Sequence, residues 1–579
     1  MLPNWFILAT AFGYLCLLFA IAYFGDKRAD EGRSIINNPY IYALSIAVYC
    51  TSWTFYGSVG RAASSGVGFL PIYLGPTLMF VLGWFVLRKI LRISKVHRIT
   101  SIADFISSRY GKSHLLGGLV TVIAVVGIMP YISLQLKAVS TSFNVLLHYP
   151  VFDVQIALGG VKMFGDTAFY VALLLLMFSI LFGTRHIEAT EHHEGIVAAI
   201  AFESVVKLLA FVTVGLFVTF GLFDGFGDLF AKAAQSPEIR RLMTMEVPGT
   251  NWVTLTLLAM AAIVCLPRQF QMAVVENMDE SHLDKAIWLL PLYLLAINLF
   301  VLPIAFGGLL HFPGGTVDAD TFVLALPMAE QRPWLAQFAF IGGLSAATGM
   351  VIVATIALST MICNDLVMPV LLRITWFNLA GVRDLSGLLI GIRRGSIFLI
   401  LLLGYVYFRM IGESYSLVTI GLVSFSAAAQ FAPALFGGIF WKGASRRGAI
   451  CGLSAGFAVW AYTLLLPSFA RSGWLSIEFV EQGAFGLALL KPYALFGLEG
   501  MDNISHSLFW SLLANFGAYI GVSLIDTQSV IERNQATLFI EVFSQTGERA
   551  EMQRWRGTAS VSDLHTLVGR LIGQAGADQ

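Results

Sequence analysis

The sequence predicts an all-α polytopic membrane protein, and three observations carry that expectation. Of the 579 residues, 57% are apolar and only 12% carry charge, against roughly 45–50% and a quarter in ordinary soluble domains. Apolar stretches of the length that crosses a hydrocarbon core, about 20 helical residues, recur along almost the whole chain. The 36 basic and 35 acidic side chains leave a net charge of +1, so there is no global field for gripping nucleic acid and charge must act by position. The five cysteines, Cys16, Cys50, Cys265, Cys363 and Cys451, all lie inside apolar runs. Their spacing fits neither a zinc site nor a disulfide framework, and they read as small buried residues.

Thirteen spans are expected, at about 5–24, 39–58, 69–91, 115–146, 166–183, 192–221, 252–274, 284–311, 336–371, 395–411, 415–441, 448–467 and 506–525. The first has no basic segment ahead of it and is followed by Asp26-Lys27-Arg28 in place of a small-residue cleavage site, so it reads as a retained helix and not a secretory signal. An odd number of crossings puts the two ends on opposite sides. With the N-terminus outside, nineteen Lys and Arg fall in the inner loops and nine in the outer ones, which places the C-terminus in the cytoplasm and the N-terminus in the periplasm of an inner membrane. After residue 525 the composition turns polar. Thr527 to Phe543 reads as a helix leaving the membrane, and Leu564, Leu567, Val568, Leu571 and Ile572 recur at helical spacing behind possible caps at Ser560 or Ser562. Residues 1–525 are therefore expected to be a membrane domain and 526–579 a small cytoplasmic helical segment, too short to close a core alone.

Two spans are interrupted. The second runs Tyr49-Cys50-Thr51-Ser52-Trp53-Thr54-Phe55-Tyr56-Gly57-Ser58, polar and glycine-punctuated where a plain anchor is leucine-rich. The seventh contains Cys265-Leu266-Pro267-Arg268-Gln269. Either Pro267 kinks a helix end and Arg268 snorkels to the headgroups, or the helix breaks to line a cavity. Ionisable groups inside a span cost roughly 2.5–3.5 kcal/mol on the insertion scale and face a partner or a wet cavity. Lys137 lies in the fourth span, and Glu203 and Lys207 stand four apart on one face of the sixth. Those two either neutralise each other or form a site for proton exchange. His186, Glu188, Glu191, His192, His193 and Glu194 form the densest polar cluster. Acidic residues before a helix favour a solvated cap there over a metal site.

The text of the eleventh and twelfth spans is the most specific feature: Ser424-Phe425-Ser426-Ala427-Ala428-Ala429-Gln430-Phe431-Ala432-Pro433-Ala434-Leu435-Phe436-Gly437-Gly438, then Phe440-Trp441-Lys442 and Arg447-Gly448-Ala449. Together with Asn364-Asp365-Leu366, it resembles the sodium/solute symporter family over about residues 1–525. The resemblance implies a LeuT-type five-plus-five inverted repeat with extra flanking helices. Ala201 to Leu208, Leu266 to Gln271 and Glu276 to Leu283 are similar to the subgroup fused to sensor histidine kinases. In that subgroup a small helical STAC module, which residues 526–579 resemble at its start, leads to kinase domains that act on a response regulator. What this implies is a transporter or sensor portion without kinase catalysis of its own, embedded in lipid and handling an amino acid, L-histidine.

The family's sodium site carries over incompletely. Gap-free alignment from Asp365 puts its ninth-span positions on Ala346, Gly349 and Met350, and its second-span carbonyls on Val48 and Thr51. Both hydroxyl ligands are missing, so the expected coupling ion becomes a proton, with Ser345 or Thr348 the only substitutes that would keep sodium. Some related amino-acid transporters use a lysine amine from the adjacent span in place of the ion, and Lys207 lies in the corresponding helix. The expected site has Ser52, Trp53, Tyr56, Gly57, Gln135, Phe425 and Gln430 around the substrate, and Glu203, Lys207 and Lys137 for the proton. The competing expectation is a receptor of the same shape that binds the amino acid and signals without net transport.

Overall fold

Helices make up nearly all of the computed structural model, which describes residues 3–149, 166–183, 193–244, 249–373, 385–411 and 417–544. Among the described residues there is no strand. Each of the thirteen expected spans coincides with helix: α1 (Asn4–Asp30), α2 (Pro39–Tyr49 and Trp53–Phe69), α3 (Pro71–Val81 and Trp84–His97), α4 (His114–His148), α5 (Thr167–Gly183), α6 (Glu194–Leu222), α7 (Gly249–Cys265 and Pro267–Val275), α8 (Glu280–His311), α9 (Pro333–Arg373), α10 (Leu385–Ile411), α11 (Leu417–Phe440), α12 (Arg446–Arg471) and α13 (Asn503–Ile525). Nine of them are long and apolar enough to cross a membrane unbroken; α2, α3, α5 and α7 are shorter or bent.

Burial divides them into layers. In α9 and α11, 94% of the most apolar stretch is enclosed, against 28% in α1 and α13, so the former pair forms the centre and the latter faces the surroundings. The α6 helix packs on α9, α1 and the first half of α2, while α4 packs on α11, α10 and α9. Close approach is bought with glycine. A Cβ on Gly195 would lie 2.1 Å from the Ala22 carbonyl oxygen, and one on Gly25 would lie 2.8 Å from Gly195 Cα, so α1 and α6 meet at their backbones. There the Gly195 N–H donates to Asp26 at 2.7 Å, an acidic group on the first turn of α6 supplied by a different helix.

Both interruptions are breaks. In α2, Cys50 is extended (φ −77°, ψ 97°) between the two halves. In α7 the halves meet at 54°, and Leu266 is extended at ψ 127°. A residue before proline is pushed out of the helical region and proline brings no N–H, so the Leu266-Pro267 step ends one helix and starts another. The sequence alternative of a snorkelling Arg268 is overturned: the side chain is fully buried.

Below the bundle, on the face with the basic loops, a short helix (Ile102–Arg109) is tied to the end of α11. Arg109 Nε donates to the Gly438 carbonyl at 2.6 Å and Nη2 to the Trp441 carbonyl at 2.9 Å, a cation on a helix C-terminus. Tyr110 adds a bond to the Ala434 carbonyl at 2.8 Å. A further helix, α14 (Val530–Ile540), follows α13. Phe539 stacks on His97 at 4.9 Å and meets Phe105 edge-on at 5.5 Å. Glu532 accepts from the Arg446 N–H at 3.0 Å, and Gln528 donates to the Lys442 and Ala444 carbonyls. Residues up to Ile540 thus form one compact unit with the bundle; of the second unit, Glu541–Gln579, only the first four residues are described. The helix around Leu564 to Ile572, with its caps, lies outside the described residues, as do His186, Glu188, Glu191 and His192.

Arg109→Met removes two charge-assisted hydrogen bonds and leaves the Trp441 carbonyl with its long bond from the Ala444 N–H at 3.4 Å. It is expected to cost about 2–3 kcal/mol, seen as a lower melting temperature of the purified protein, with Arg109→Lys falling between it and the wild type.

Candidate functional site

The extended residue Cys50 interrupts the helical ladder of α2 at the carbonyls of Ala47, which accepts from the Cys50 N–H at 3.0 Å, and of Cys50 itself. Lys207, from the middle of α6, meets them: its Nζ donates to the Ala47 carbonyl at 2.9 Å and to the Cys50 carbonyl at 2.8 Å. The side chain is almost fully buried. An ammonium group thus sits where the unwound backbone presents oxygen, one residue before each of the expected carbonyls, Val48 and Thr51.

Glu203, one turn earlier on the same face, does not close an ion pair with Lys207. Its carboxylate accepts from the Thr348 hydroxyl of α9, while its backbone carbonyl accepts from Ser345 Oγ at 2.9 Å. Gly349 makes the room: a Cβ there would lie 2.3 Å from Glu203 Oε2. The expected neutralising pair is therefore replaced by two charges satisfied separately, the cation on α2 and the anion on α9. Both hydroxyls that were the possible substitutes for sodium ligands, Ser345 and Thr348, are engaged with Glu203. Ala346, Gly349 and Met350 bring no side-chain oxygen, and the Ala47 and Cys50 carbonyls hold the Lys207 ammonium.

Beside the break, the second half of α2 meets α4 and α11. Ser52 N–H donates to Gln135 Oε1 at 3.3 Å, Ser52 Oγ to the Gly343 carbonyl at 3.3 Å, and Thr51 Oγ1 pairs with the Tyr131 hydroxyl at 2.9 Å. Trp53 packs edge-on against Phe425 with ring centroids 4.8 Å apart, and Phe425 stacks on Tyr131 at 5.8 Å. Arg268, just past the α7 break, lies over the other ring system of this group, 4.2 Å from the Tyr131 centroid, within cation–π range. Ser52, Trp53, Gln135, Phe425 and Arg268 thus converge. Tyr131 belongs with them and was not among the expected site residues; its one sequence signal is its place directly after Pro130 in mid-α4.

Residues 31–173 match the family model described as sodium:solute symporter family. The chain is 23% identical over 471 residues to the uncharacterized symporter YhjB of Bacillus subtilis (strain 168), covering 79% of this chain and 88% of that one. To the uncharacterized symporter YodF of the same organism it is 26% identical, covering 71% and 76%. Among solved structures, a Na+-coupled sialic acid symporter in a substrate-bound, outward-open state superposes with a TM-score of 0.61 at 14% identity, covering 90% of this chain and 98% of the other. The fold is accordingly that of the LeuT-like symporters, carried by a multi-pass membrane protein.

In this symporter fold, the remaining expected residues occupy different places. Tyr56 and Lys137 line a separate narrow cavity of about 20 Å³ with Ser142, Asp318 and Asp320, so Lys137 is not part of the Glu203–Lys207 group. Asp320, in the connection before α9, has its carboxyl pushed above the usual carboxylate range by burial first and by the charge of Asp318 next, with Lys137 opposing. Gly57 carries no ligand group; it lets Trp53 and Leu417 close on the backbone, a Cβ there lying 2.8 Å from Trp53. Gln430 does not complete the pocket. It donates to Ser511 Oγ at 2.9 Å and accepts from Asn515 at 3.0 Å, and so fastens α11 to α13. From the polar cluster, His193 pairs with Glu276 at 2.9 Å. Burial disfavours its imidazolium, but the charge and hydrogen bond of Glu276 outweigh that and hold its pKa above the ordinary value. Among the described residues no group of His, Cys, Asp and Glu could hold a metal ion.

Gly349→Ser would restore a hydroxyl at the family's position but collide with Glu203. It is expected to lower stability by about 1–3 kcal/mol in thermal melting, the usual cost of overpacking a core. Shortening Glu203 to Ala in the same chain is expected to recover part of the loss, whereas two independent sites would give additive losses.

Proposed function

We propose that the chain is the transporter portion of a CbrA-like two-component sensor, moving L-histidine inward together with a proton. The single observation that carries the proton over sodium is the Lys207 ammonium on the Ala47 and Cys50 carbonyls. While protonated, the amine holds the end of the first half of α2 and the extended residue Cys50, and so fixes α2 against α6. Loss of the proton removes the positive charge from a buried group and loosens its hold on the carbonyls, so binding and conformation become linked to protonation. Glu203, on the same helix one turn away, is the group positioned to exchange that proton. Ser52, Trp53, Gln135 and Phe425 border the substrate, and the break supplies further backbone groups. A proton moving down the membrane potential delivers about 2.3 kcal/mol per 100 mV, enough to concentrate an amino acid many-fold. No catalytic role is assigned to this chain; kinase domains and a response regulator belong to the proposed partners on the cytoplasmic side of a bacterial inner membrane.

One observation favours the second reading, a receptor that signals without net transport: α14 is docked on the connections of α3–α4 and α11–α12 through Phe539 and Glu532, with Gln528 just ahead of it. A helix in that place can report the state of the bundle whether or not solute crosses.

Proteoliposomes loaded in sodium-free buffer test both. Histidine accumulation driven by an external acid pH gradient, abolished by a protonophore and made insensitive to pH by Lys207→Ala, is the expected result. Accumulation that needs a sodium gradient and survives the protonophore overturns the proton. Binding of histidine without counterflow selects the receptor.

A further inference from the structure

We infer that Arg268 is the anchor for a carboxylate group on the solute. This rests on the amino-acid reading above and goes beyond it by naming the solute group that is held and the side chain that holds it. Arg268 is 0% exposed, yet among the described residues its Nε, Nη1 and Nη2 have no hydrogen-bond partner and no carboxylate within ion-pair distance. What touches it is the face of Tyr131. A guanidinium has five N–H donors in a planar fork. Stacking on a ring uses the plane and leaves the edge, which is the part that binds carboxylates two bonds at a time.

Leaving such a group unpaired in a low-dielectric interior is among the most costly arrangements a protein can hold, and arginine cannot escape it by losing its proton. The neighbours raise the demand. Tyr131 bonds to Thr51, next to Cys50, and the Cys50 carbonyl takes Lys207. Two cations therefore flank one broken segment. The buried carboxylate on α6, Glu203, is engaged with Thr348 of α9. The group of Lys207, Arg268 and Glu203 is one negative charge short of neutral, the deficit that a single carboxylate fills. Trp53 Nε1 and both amide atoms of Gln269 are likewise buried without partners, so the surroundings hold further polar capacity for a zwitterionic solute. The aromatic group of Trp53, Tyr131 and Phe425 offers a flat apolar wall to its side chain.

The test compares each solute with its amide on the full-length chain in nanodiscs. L-Histidine is expected to bind at least about tenfold more tightly than L-histidinamide, the discrimination typical of a buried charge-assisted pair. Arg268→Gln is expected to weaken histidine at least tenfold and bring the acid-to-amide ratio close to one, while Arg268→Lys retains part of the preference. Equal affinity for acid and amide in the wild type overturns the inference without recourse to any variant, and so does an undiminished preference for the acid in Arg268→Gln. Should histidine not bind, the histidine reading fails alone. The other proteinogenic amino acids, acetate, pyruvate and lactate are then compared with their amides; a solute bound only as its acid upholds the carboxylate anchor, and a panel with no such solute overturns it.

Discussion

A carbonyl freed inside a hydrocarbon layer finds no water, and each one left bare costs several kcal/mol. The unwinding at Cys50 creates that problem in the middle of α2; Lys207 answers it at the Cys50 carbonyl and adds a second bond to the Ala47 carbonyl, which also accepts from the Cys50 N–H. The rest of the central packing follows from holding a cation there. The amine must come from a neighbouring helix at the right depth, which fixes α6 against α2. Its counter-charge one turn away must be accommodated too, which requires Thr348 as donor and a missing Cβ at Gly349. Ser345 then holds the α6 backbone at Glu203. The central helix α9 is shaped to serve α6.

The α7 break solves the same problem in another way. Pro267 removes a donor and Leu266 is extended, but α7 is tied to α2 from outside the gap: the Tyr42 hydroxyl donates to the Ala273 carbonyl at 2.7 Å. The broken helices stand five spans apart, in equivalent positions of the two halves of a five-plus-five repeat, and each carries a cation close to its interruption. Lys207 reaches the first break from outside it, whereas Arg268 is part of the second. One cation is satisfied by protein backbone and the other is left with a ring face, an asymmetry that gives the two breaks different work.

Periodicity and composition were enough for the thirteen helices, because a membrane-crossing helix must be long and apolar and little else competes with that signal. The breaks were legible for a similar reason, since the Leu266-Pro267 step and the polar run around Ser52 have few other uses inside a span. Side-chain partners were not. The spacing of Glu203 and Lys207 put them on one face, but a face does not say which neighbour lies opposite, and each charge found a different helix. Gln430 sits within the most recognisable stretch of the chain, yet recognisability says nothing of direction, and it points to Asn515 and Ser511. Lys137 is two turns from Tyr131 along α4, roughly 9 Å by helical rise, which separates it from the break and delivers it to the cavity with Asp320. The carbonyls of Val48 and Thr51 were expected from a gap-free alignment with the family's ion site, and such an alignment does not say which carbonyls a lysine from α6 reaches; Lys207 takes those of Ala47 and Cys50.

The α14 helix connects this centre to the far face of the bundle. Together with Gln528 just ahead of it, it touches segments adjoining the helices that carry the aromatic group: Phe539 rests on His97 and Phe105, ahead of α4 with Tyr131, while Glu532 meets the start of α12 and Gln528 the connection that follows α11 with Phe425. Arg109 already clamps the Ile102–Arg109 segment to the end of α11. An 11-residue helix is a rigid strut about 16 Å long. Any movement that separates the α3–α4 connection from the α11–α12 connection must therefore break either the aromatic contact at one end of α14 or the hydrogen bonds at the other. Rearrangement between α4 and α11, the two helices whose rings stack beside the break, is the kind of movement that a bound solute at Trp53 and Arg268 would bias.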